Sequence, residues 1–191
     1  MTIEILENHD RKTMFKDGFC MGIMDKNGEP KSAYMKPIME RINGLHSGSN
    51  ILFLGGGLCI LPSWAQSKGH FSCTIENDPE ILQKVPQAGS FILGDASVVI
   101  GELEEDWFDF ILLDVYPNHP NMYCADYYTK CKKHLKEKGT LAINYCENVT
   151  EESILKMNKE LIPVFSNVNY CLFKTEKNKV TTLQQIVYFC N

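Results

Sequence analysis

The chain has 191 residues, of which 44% are hydrophobic and 23% charged, so composition and length suit one folded globular domain. The net charge is −5 and the basic residues are scattered, which predicts no nucleic-acid surface. The apolar runs are too short to cross a bilayer and the first residues do not resemble a signal peptide, so we expect no membrane contact. The eight cysteines include no Cys-x-x-Cys pair, and several of them (Cys59, Cys73, Cys131 and Cys171) lie in periodic apolar segments, which predicts reduced core thiols and hence a cytoplasmic protein.

The first 44 residues predict short strands followed by a helix. Apolar stretches between residues 3 and 24 alternate with Asp-Gly and Asn-Gly pairs, which are typical of hairpin turns. Over residues 30–44 the apolar side chains recur at helical spacing, and Pro30 stands near the start. We therefore expect a small N-terminal β-hairpin and one helix.

The rest of the chain alternates between strands and helices. The expected strands cover 51–54, 71–76, 91–93, 108–114, 140–144, 168–173 and 182–189, and the expected helices cover 58–68, a short segment from Asp78, 96–104, 124–136 and 150–161. This alternation favours an α/β fold with a mostly parallel sheet covered by helices on both faces. The last two strands have no helix between them, so we expect them to pair antiparallel.

The stretch Ile51–Leu54 runs directly into Gly55, Gly56 and Gly57. A short apolar run ending in glycine is typical of a buried parallel strand that enters a tight turn. Positions without side chains at such a turn let a ligand approach the backbone, and ligands of these sheets bind beyond the carboxyl ends of the strands. The sequence therefore predicts a binding site at this turn.

Three acids fall at predicted strand ends, namely Glu76, Asp95 and Asp114. Glu76 lies 21 residues beyond Gly55, where a carboxylate accepts hydrogen bonds from a ribose diol; a solvated strand-end acid is the alternative. A dinucleotide site would need a third glycine where this chain has Ile60, and no phosphate-loop motif is present. A glycine turn and ribose acid without a phosphate cradle suit an adenosine ligand such as S-adenosylmethionine.

The order and spacing of these motifs resemble the class I S-adenosylmethionine-dependent transferases, and most closely the spermidine/spermine synthase family. The similar segments are Phe15–Gly18, Glu29–Met39, Ile51–Gly57, Ile75–Pro79, Gly94–Ala96, Phe108–Asp114 and Tyr127–Gly139. The resemblance implies a Rossmann-like methyltransferase fold with a seven-stranded sheet. It also implies a division into residues 1–48, on the substrate side, and a cofactor-binding catalytic domain over 49–191.

The resemblance implies a role for each of the glycines and acids. Gly55 to Gly57 would pack against the methionine part of the cofactor, and Glu76 would bind the ribose hydroxyls with Asn77 as a further cofactor contact. Asp95 and the backbone of Ala96 would hold adenine. Asp114 would lie beside the sulfonium carbon and accept a proton from an attacking amine, or stabilise its developing charge. A structural acid that caps the next helix is the alternative for Asp114.

On the substrate side, Tyr34 matches a tyrosine of the family, and a half-buried helix residue is its alternative interpretation. Tyr116 and His119 lie in the loop after Asp114, where the tyrosine can line a pocket and the histidine can act as a base with near-neutral pKa. An exposed loop position is the alternative for His119. The segment Asn144–Cys146 lacks the Asp-Asn pair of metal-dependent O-methyltransferases, so no metal is expected.

The chain also departs from the family's pattern at positions that bind polyamine substrates. Leu58 stands where the family has an acid that binds the cofactor's aminopropyl amine. Pro117 stands where the family has a second acid beyond the catalytic one, and Met35 where it has Gln or His. A polyamine needs several anionic partners once desolvated, because an unpaired buried ammonium is costly. Leu58 also removes a repulsion against a carboxylate, which favours intact S-adenosylmethionine over its decarboxylated form.

The sequence therefore predicts a transferase that moves a group from S-adenosylmethionine to a small-molecule acceptor, most simply a methyl group. Aminopropyl or aminocarboxypropyl transfer to an amine is the first alternative. A non-catalytic subunit with the cofactor fold is the second. The resemblance further implies a homodimer.

Overall fold

The computed structural model describes residues 3–85, 88–115, 120–146, 149–178 and 181–191. The strands in this part of the chain are β1 (Ile3–Glu7), β2 (Arg11–Lys16), β3 (Phe19–Asp25), β4 (Asn50–Leu54), β5 (Phe71–Glu76), β6 (Ser90–Leu93), β7 (Phe108–Leu113), β8 (Leu135–Tyr145), β9 (Val168–Asn178) and β10 (Thr181–Cys190). The α-helices are α1 (Met35–Asn43), α2 (Ile60–Ser67), α3 (Pro79–Lys84), α4 (Ala96–Val99), α5 (Ala125–His134) and α6 (Glu151–Leu161). Short 3₁₀ turns cover Ile100–Glu102 and Pro120–Met122.

Seven strands form one sheet in the order β6-β5-β4-β7-β8-β10-β9. Strands β4 to β8 pair in parallel, whereas β10 pairs antiparallel with both β8 and β9. The mostly parallel sheet and the antiparallel last strand are confirmed. Strand order reverses on either side of β4, which pairs with β5 on one edge and with β7 on the other. Ligands of open α/β sheets bind at such a reversal.

The centre of the sheet is apolar on both faces, because helices cover both. In β4, Leu52 and Leu54 belong to the core cluster beneath α5 and α6, while Ile51 and Phe53 belong to the cluster beneath α1 and α2. Alternate residues of a strand point to opposite faces, so an unbroken apolar run serves both cores. All of these side chains are at most 1% exposed.

The N-terminal strands form a separate three-stranded antiparallel sheet, one strand more than a hairpin. This sheet packs on the α1–α2 face, with Met14 fully buried in that core cluster. Lys16 at the end of β2 makes an ion pair of 2.8 Å with Asp78, directly before α3. Lys84 at the end of α3 donates to the carbonyl of Ile3 at 3.0 Å. Two polar contacts therefore fix the N-terminal sheet to α3.

Two of the helix boundaries that differ from the sequence prediction can be traced to strand pairing. Helix α1 begins at Met35 rather than near Pro30, which instead bridges to Met24 at the edge of the N-terminal sheet. Helix α5 ends at His134, and Leu135 pairs with the start of β7 where a helix to about 136 is predicted. Helix-forming residues follow in Lys136–Lys138, but tertiary pairing overrides their propensity. No helix within the described ranges is both long and apolar enough to span a membrane.

Candidate functional site

A cavity of about 180 Å³ lies between the carboxyl ends of the central strands and the N-terminal segment. Its wall contains nine of the predicted site residues: Tyr34, Gly55, Gly56, Gly57, Glu76, Asn77, Asp95, Ala96 and Asp114. The N-terminal sheet contributes Lys16 and Met21 to the same wall. Tyr116 and His119 lie outside the described residues, so their predicted roles stay predictions.

The glycine turn begins at Gly55, which has φ +98° and leaves no room for a side chain. A Cβ atom there would come within 2.2 Å of the carbonyl oxygen of Asp114. Gly55 N–H donates to the carbonyl of Ile75 at 2.9 Å. The turn is therefore held between the ends of β5 and β7, and only glycine permits both its conformation and its closeness to β7.

Glu76 holds the glycine turn from the side of β5. One carboxylate oxygen accepts from the amides of Gly56 and Gly57 at 2.8 and 3.3 Å, and the other accepts from Asn77 and Asp78 at 3.0 Å each. These four amide donors match the four lone-pair sites of a carboxylate, and Glu76 is only 8% exposed. The sequence does not indicate this structural role. The alternative of a solvated acid is wrong for Glu76, and its ribose contact stays a prediction.

Asp95 and Ala96 stand at the beginning of α4, beyond the end of β6. Asp95 is the N-cap, and its side chain accepts from the amide of Ser97 at 2.8 Å. The carbonyl of Ala96 accepts from the hydroxyl of Tyr127 at 3.0 Å. The cap and the tyrosine together fix the backbone at the far end of the cavity, where the resemblance predicts adenine.

Asp114 follows β7, and its carboxyl group in the cavity wall accepts two hydrogen bonds. One oxygen accepts from Asn144 Nδ2 at 2.7 Å and the other from the hydroxyl of Tyr34 at 3.3 Å. Burial raises the pKa of Asp114 to about 6, and the charge of Glu76 adds to this, although the two hydrogen bonds oppose it. A carboxylate with a pKa close to neutrality accepts and returns protons readily.

Asn144 and Gln185 are not among the lining residues of the cavity but support the Asp114 carboxyl, and sequence reasoning missed both roles. Asn144 lies near the end of β8, next to β7, and Gln185 Nε2 donates to its Oδ1 at 2.8 Å. The position of Asn144 at a strand end beside Asp114 is a signal that the pattern contains. Gln185 sits in a strand that runs antiparallel, and no motif marks it.

The hydroxyl of Tyr123 contacts the carbonyls of Val115 and Asn144 at 3.2 and 3.4 Å. The Tyr123 hydroxyl therefore supports the backbone directly after Asp114 and the backbone of Asn144 on β8. Within the described ranges, no group of three or more His, Cys, Asp or Glu residues is arranged to hold a metal ion.

Replacing Gly55 by alanine should destabilise the protein by about 3 kcal/mol, because backbone strain and the clash with Asp114 act together. Gly18→Ala separates the two effects, since Gly18 has φ +80° but no atom within 4 Å of an added Cβ. It should cost about 1 kcal/mol. Gly101 has neither feature, and its alanine variant should change stability by less than about 1 kcal/mol. Denaturant unfolding measures all three; equal losses at Gly55 and Gly18 would contradict the role of the close approach.

Replacing Asp114 by asparagine should stabilise the protein at pH 7. The folded pKa of about 6 lies above the unfolded value of about 3.9, so the buried charge opposes folding above pH 6 and not below pH 4. We expect a gain of about 1–2 kcal/mol at pH 7 that disappears as the pH falls from 6 to 4. Urea unfolding at several pH values measures the difference. Asp10→Asn, on an exposed turn, is the control for the loss of a negative charge at the surface.

Comparison with known proteins gives matches among solved structures, whereas no family model and no curated protein matches the chain. A probable spermidine synthase from Corynebacterium glutamicum is similar with a TM-score of 0.84 over 99% of this chain and 76% of its own, at 17% identity. Spermidine synthase from Thermotoga maritima gives 0.69 over 98% and 68%, at 16% identity. A SAM-dependent methyltransferase from Archaeoglobus fulgidus gives 0.64 over 83% and 91%, at 12% identity. The chain therefore has the spermidine synthase-like fold of the class I S-adenosylmethionine-dependent transferases.

Proposed function

We propose that the protein transfers a methyl group from S-adenosylmethionine to a small-molecule nucleophile. The observation that carries the proposal is the pairing, in one cavity, of the Asp114 carboxylate with a glycine turn that continues into Leu58. The first supplies a proton acceptor beside the glycine turn. The second places hydrocarbon where a polyamine synthase of this resemblance has an acid.

The residues of the cavity fit an adenosine ligand without phosphates. Gly55 and Gly57 have φ of +98° and +48°. The part of the cavity wall that this turn forms therefore carries no side chains. Asn77 and Asp95 follow at the ends of the next two strands, where they can contact the sugar and the base. A ribose diol would compete for the Glu76 oxygens with the four amides that donate to them. When bound, S-adenosylmethionine supplies a carbon attached to a positively charged sulfur.

Asp114 is placed to receive the proton of the nucleophile. Asp114 would accept the proton that the nucleophile loses, while S-adenosylmethionine, when bound, would supply the carbon and its sulfur would keep the electrons of the broken C–S bond. With a pKa of about 6, Asp114 is mostly ionised at neutral pH and able to accept it. Burial raises the pKa of Tyr34 well above 10, so its hydroxyl stays a hydrogen-bond donor that orients the acid. Positioning of the two reactants supplies the rest of the acceleration.

Hydrocarbon fills the space beside the glycine turn. Leu58 is 6% exposed, and a Cβ added to Gly22 would lie 3.0 Å from Ile60, 3.6 Å from Met35 and 3.8 Å from Leu58. These side chains converge under the N-terminal sheet and offer no partner to an ammonium group. The ammonium group of a decarboxylated cofactor would be unpaired there, which disfavours aminopropyl transfer.

Aminopropyl or aminocarboxypropyl transfer to an amine is the alternative. The similarity to solved spermidine synthases, with a TM-score up to 0.84, favours it, as does the Tyr34–Asp114 contact at 3.3 Å. A non-catalytic subunit would need no proton acceptor with a pKa near neutrality, so the perturbed Asp114 speaks against that reading.

Calorimetry with S-adenosylmethionine and its decarboxylated form tests cofactor binding, and incubation with candidate acceptors tests the reaction. We expect the intact cofactor to bind more tightly and S-adenosylhomocysteine to accumulate. Methylthioadenosine as the sulfur product would instead establish the alternative reaction. Binding of neither cofactor would overturn the whole proposal.

Leu58→Asp should change which form of the cofactor the protein prefers. A carboxylate beside the glycine turn repels the carboxylate of S-adenosylmethionine and pairs with an aminopropyl amine, so the affinity ratio should move about tenfold towards the decarboxylated form. Titration calorimetry with both forms measures the ratio. Leu58→Asn has similar size without charge and is the control. A ratio that changes equally in both variants would contradict an electrostatic role for this position.

A further inference from the structure

Asn144 presents its side chain to Asp114 from the neighbouring strand. It is 2% exposed, and its Nδ2 lies 2.7 Å from Asp114 Oδ1. A primary amide can turn either its donor or its acceptor towards a neighbour, and only the donor stabilises a carboxylate. The orientation of this amide therefore decides whether Asp114 is supported or repelled.

Two donors on the far side fix that orientation. Gln185 Nε2 donates to Asn144 Oδ1 at 2.8 Å, and the thiol of Cys146 contacts the same oxygen at 3.5 Å. Gln185 is 5% exposed and reaches across from β10, with its Nε2 also 2.7 Å from Cys146 Sγ. With Oδ1 occupied by donors, Nδ2 must face Asp114. The amides form a directed chain from Gln185 through Asn144 to the carboxylate.

Burial of two amides costs free energy that apolar side chains at the same place in the sheet would not cost. Val187, two residues along β10, pairs in register with Asn144 and is fully buried hydrocarbon. Buried polar groups are retained without loss only when every donor and acceptor is satisfied. The chain of amides ends on the Asp114 carboxylate, whose pKa burial raises to about 6. The role of the two buried amides therefore lies at Asp114.

We propose that Asn144 and Gln185 are positioning residues, which hold the Asp114 carboxylate in one orientation and keep it ready to accept the proton of the nucleophile. This inference rests on the proposed function for its role in catalysis, whereas the alignment of the two amides towards Asp114 stands by itself. Gln185 acts at a distance, through Asn144, and touches neither the cofactor nor the nucleophile in this assignment.

The other titratable groups that face Asp114 are Tyr34, Tyr123, Cys146 and Glu76. Burial raises the pKa of Tyr34 and Tyr123 well above 10 and raises that of Cys146, so all three are neutral near pH 7. Glu76 is present in every variant and repels the Asp114 carboxylate in each of them. A shift of the Asp114 midpoint therefore reports on the amide chain.

The test is the titration of the Asp114 carboxyl by ¹³C NMR in the full-length protein without cofactor, with the resonance assigned from its absence in Asp114→Asn. Gln185→Met keeps the length of the side chain and removes its donor. Only the longer contact of the Cys146 thiol then holds the Asn144 oxygen, so the amide can turn its oxygen to Asp114 and the midpoint should rise by about one pH unit. Gln185→Glu should raise it further, because a carboxylate accepts from Asn144 and turns the amide round.

Tyr188→Phe is the control on the same strand. The Tyr188 hydroxyl is buried and has no hydrogen-bond partner within the described part of the chain, so its loss should leave the midpoint unchanged. An unchanged midpoint in both Gln185 variants would overturn the proposal. A shift in Tyr188→Phe equal to that in Gln185→Met would overturn it as well. If Gln185→Met does not fold, Gln185→Glu decides on the same criteria.

Catalysis gives an independent readout. For a midpoint that moves from 6 to 7, kcat at pH 6 should fall about fivefold while kcat at pH 8 and KM stay close to the unmodified values. A merely structural role would lower kcat at every pH. The NMR titration needs no substrate, so absence of cofactor binding would defeat the proposed function and leave the test of the amide chain intact.

Discussion

The structure of the site depends on how the Glu76 carboxylate is shared among four backbone amides. Two of these amides belong to the turn after β4 and two to the chain after β5. Hydrogen bonds from backbone amides to a charged carboxylate are stronger than those between neutral groups, and these are largely screened from solvent. One side chain thereby fixes the ends of two adjacent strands against each other. Every other group in the cavity is placed relative to that junction.

The glycine turn and Asp114 are coupled through the same junction. Gly55 leaves space for the carbonyl of Asp114, and the amide of Asp114 donates to the carbonyl of Leu54 at 2.9 Å. The backbone of Asp114 is therefore anchored to the start of the glycine turn. Its carboxylate is oriented by two hydrogen bonds, one from Tyr34 and one from Asn144. Preorganisation of this kind lets a buried acid keep one geometry without reorganisation when charge changes.

The sheet could be predicted well because its signals are local and repeated. An apolar run such as Ile51–Leu54 that ends in glycine identifies a buried parallel strand, and the acids at successive strand ends follow from the topology. The helix boundary at His134 could not be predicted, since Leu135 gains its place by pairing with β7, a contact 27 residues away in sequence. Local propensity contains no information about such a partner.

The candidate site was predictable for residues that stand at strand ends and for Tyr34, which the family resemblance indicates. Gln185 lies 71 residues beyond Asp114 and in a strand of opposite direction, so no spacing rule relates the two. The hydrogen bonds that both Glu76 oxygens accept from backbone amides could not be predicted, for a different reason. A sequence shows where an acid lies, and not whether its oxygens face a ligand or the protein's own amides.

Burial of Asp114 illustrates why such a site needs a chain of supporting groups. A carboxylate in this position is disfavoured by burial and by Glu76, yet its proposed role as proton acceptor requires it to be ionised near neutral pH. The two hydrogen bonds from Tyr34 and Asn144 oppose that penalty without adding a positive charge. A cation beside Asp114 would lower its pKa far below neutrality and weaken it as a base. Neutral donors keep the acid ionised and basic at once, and Lys16, the cation in the cavity wall, is paired with Asp78 instead.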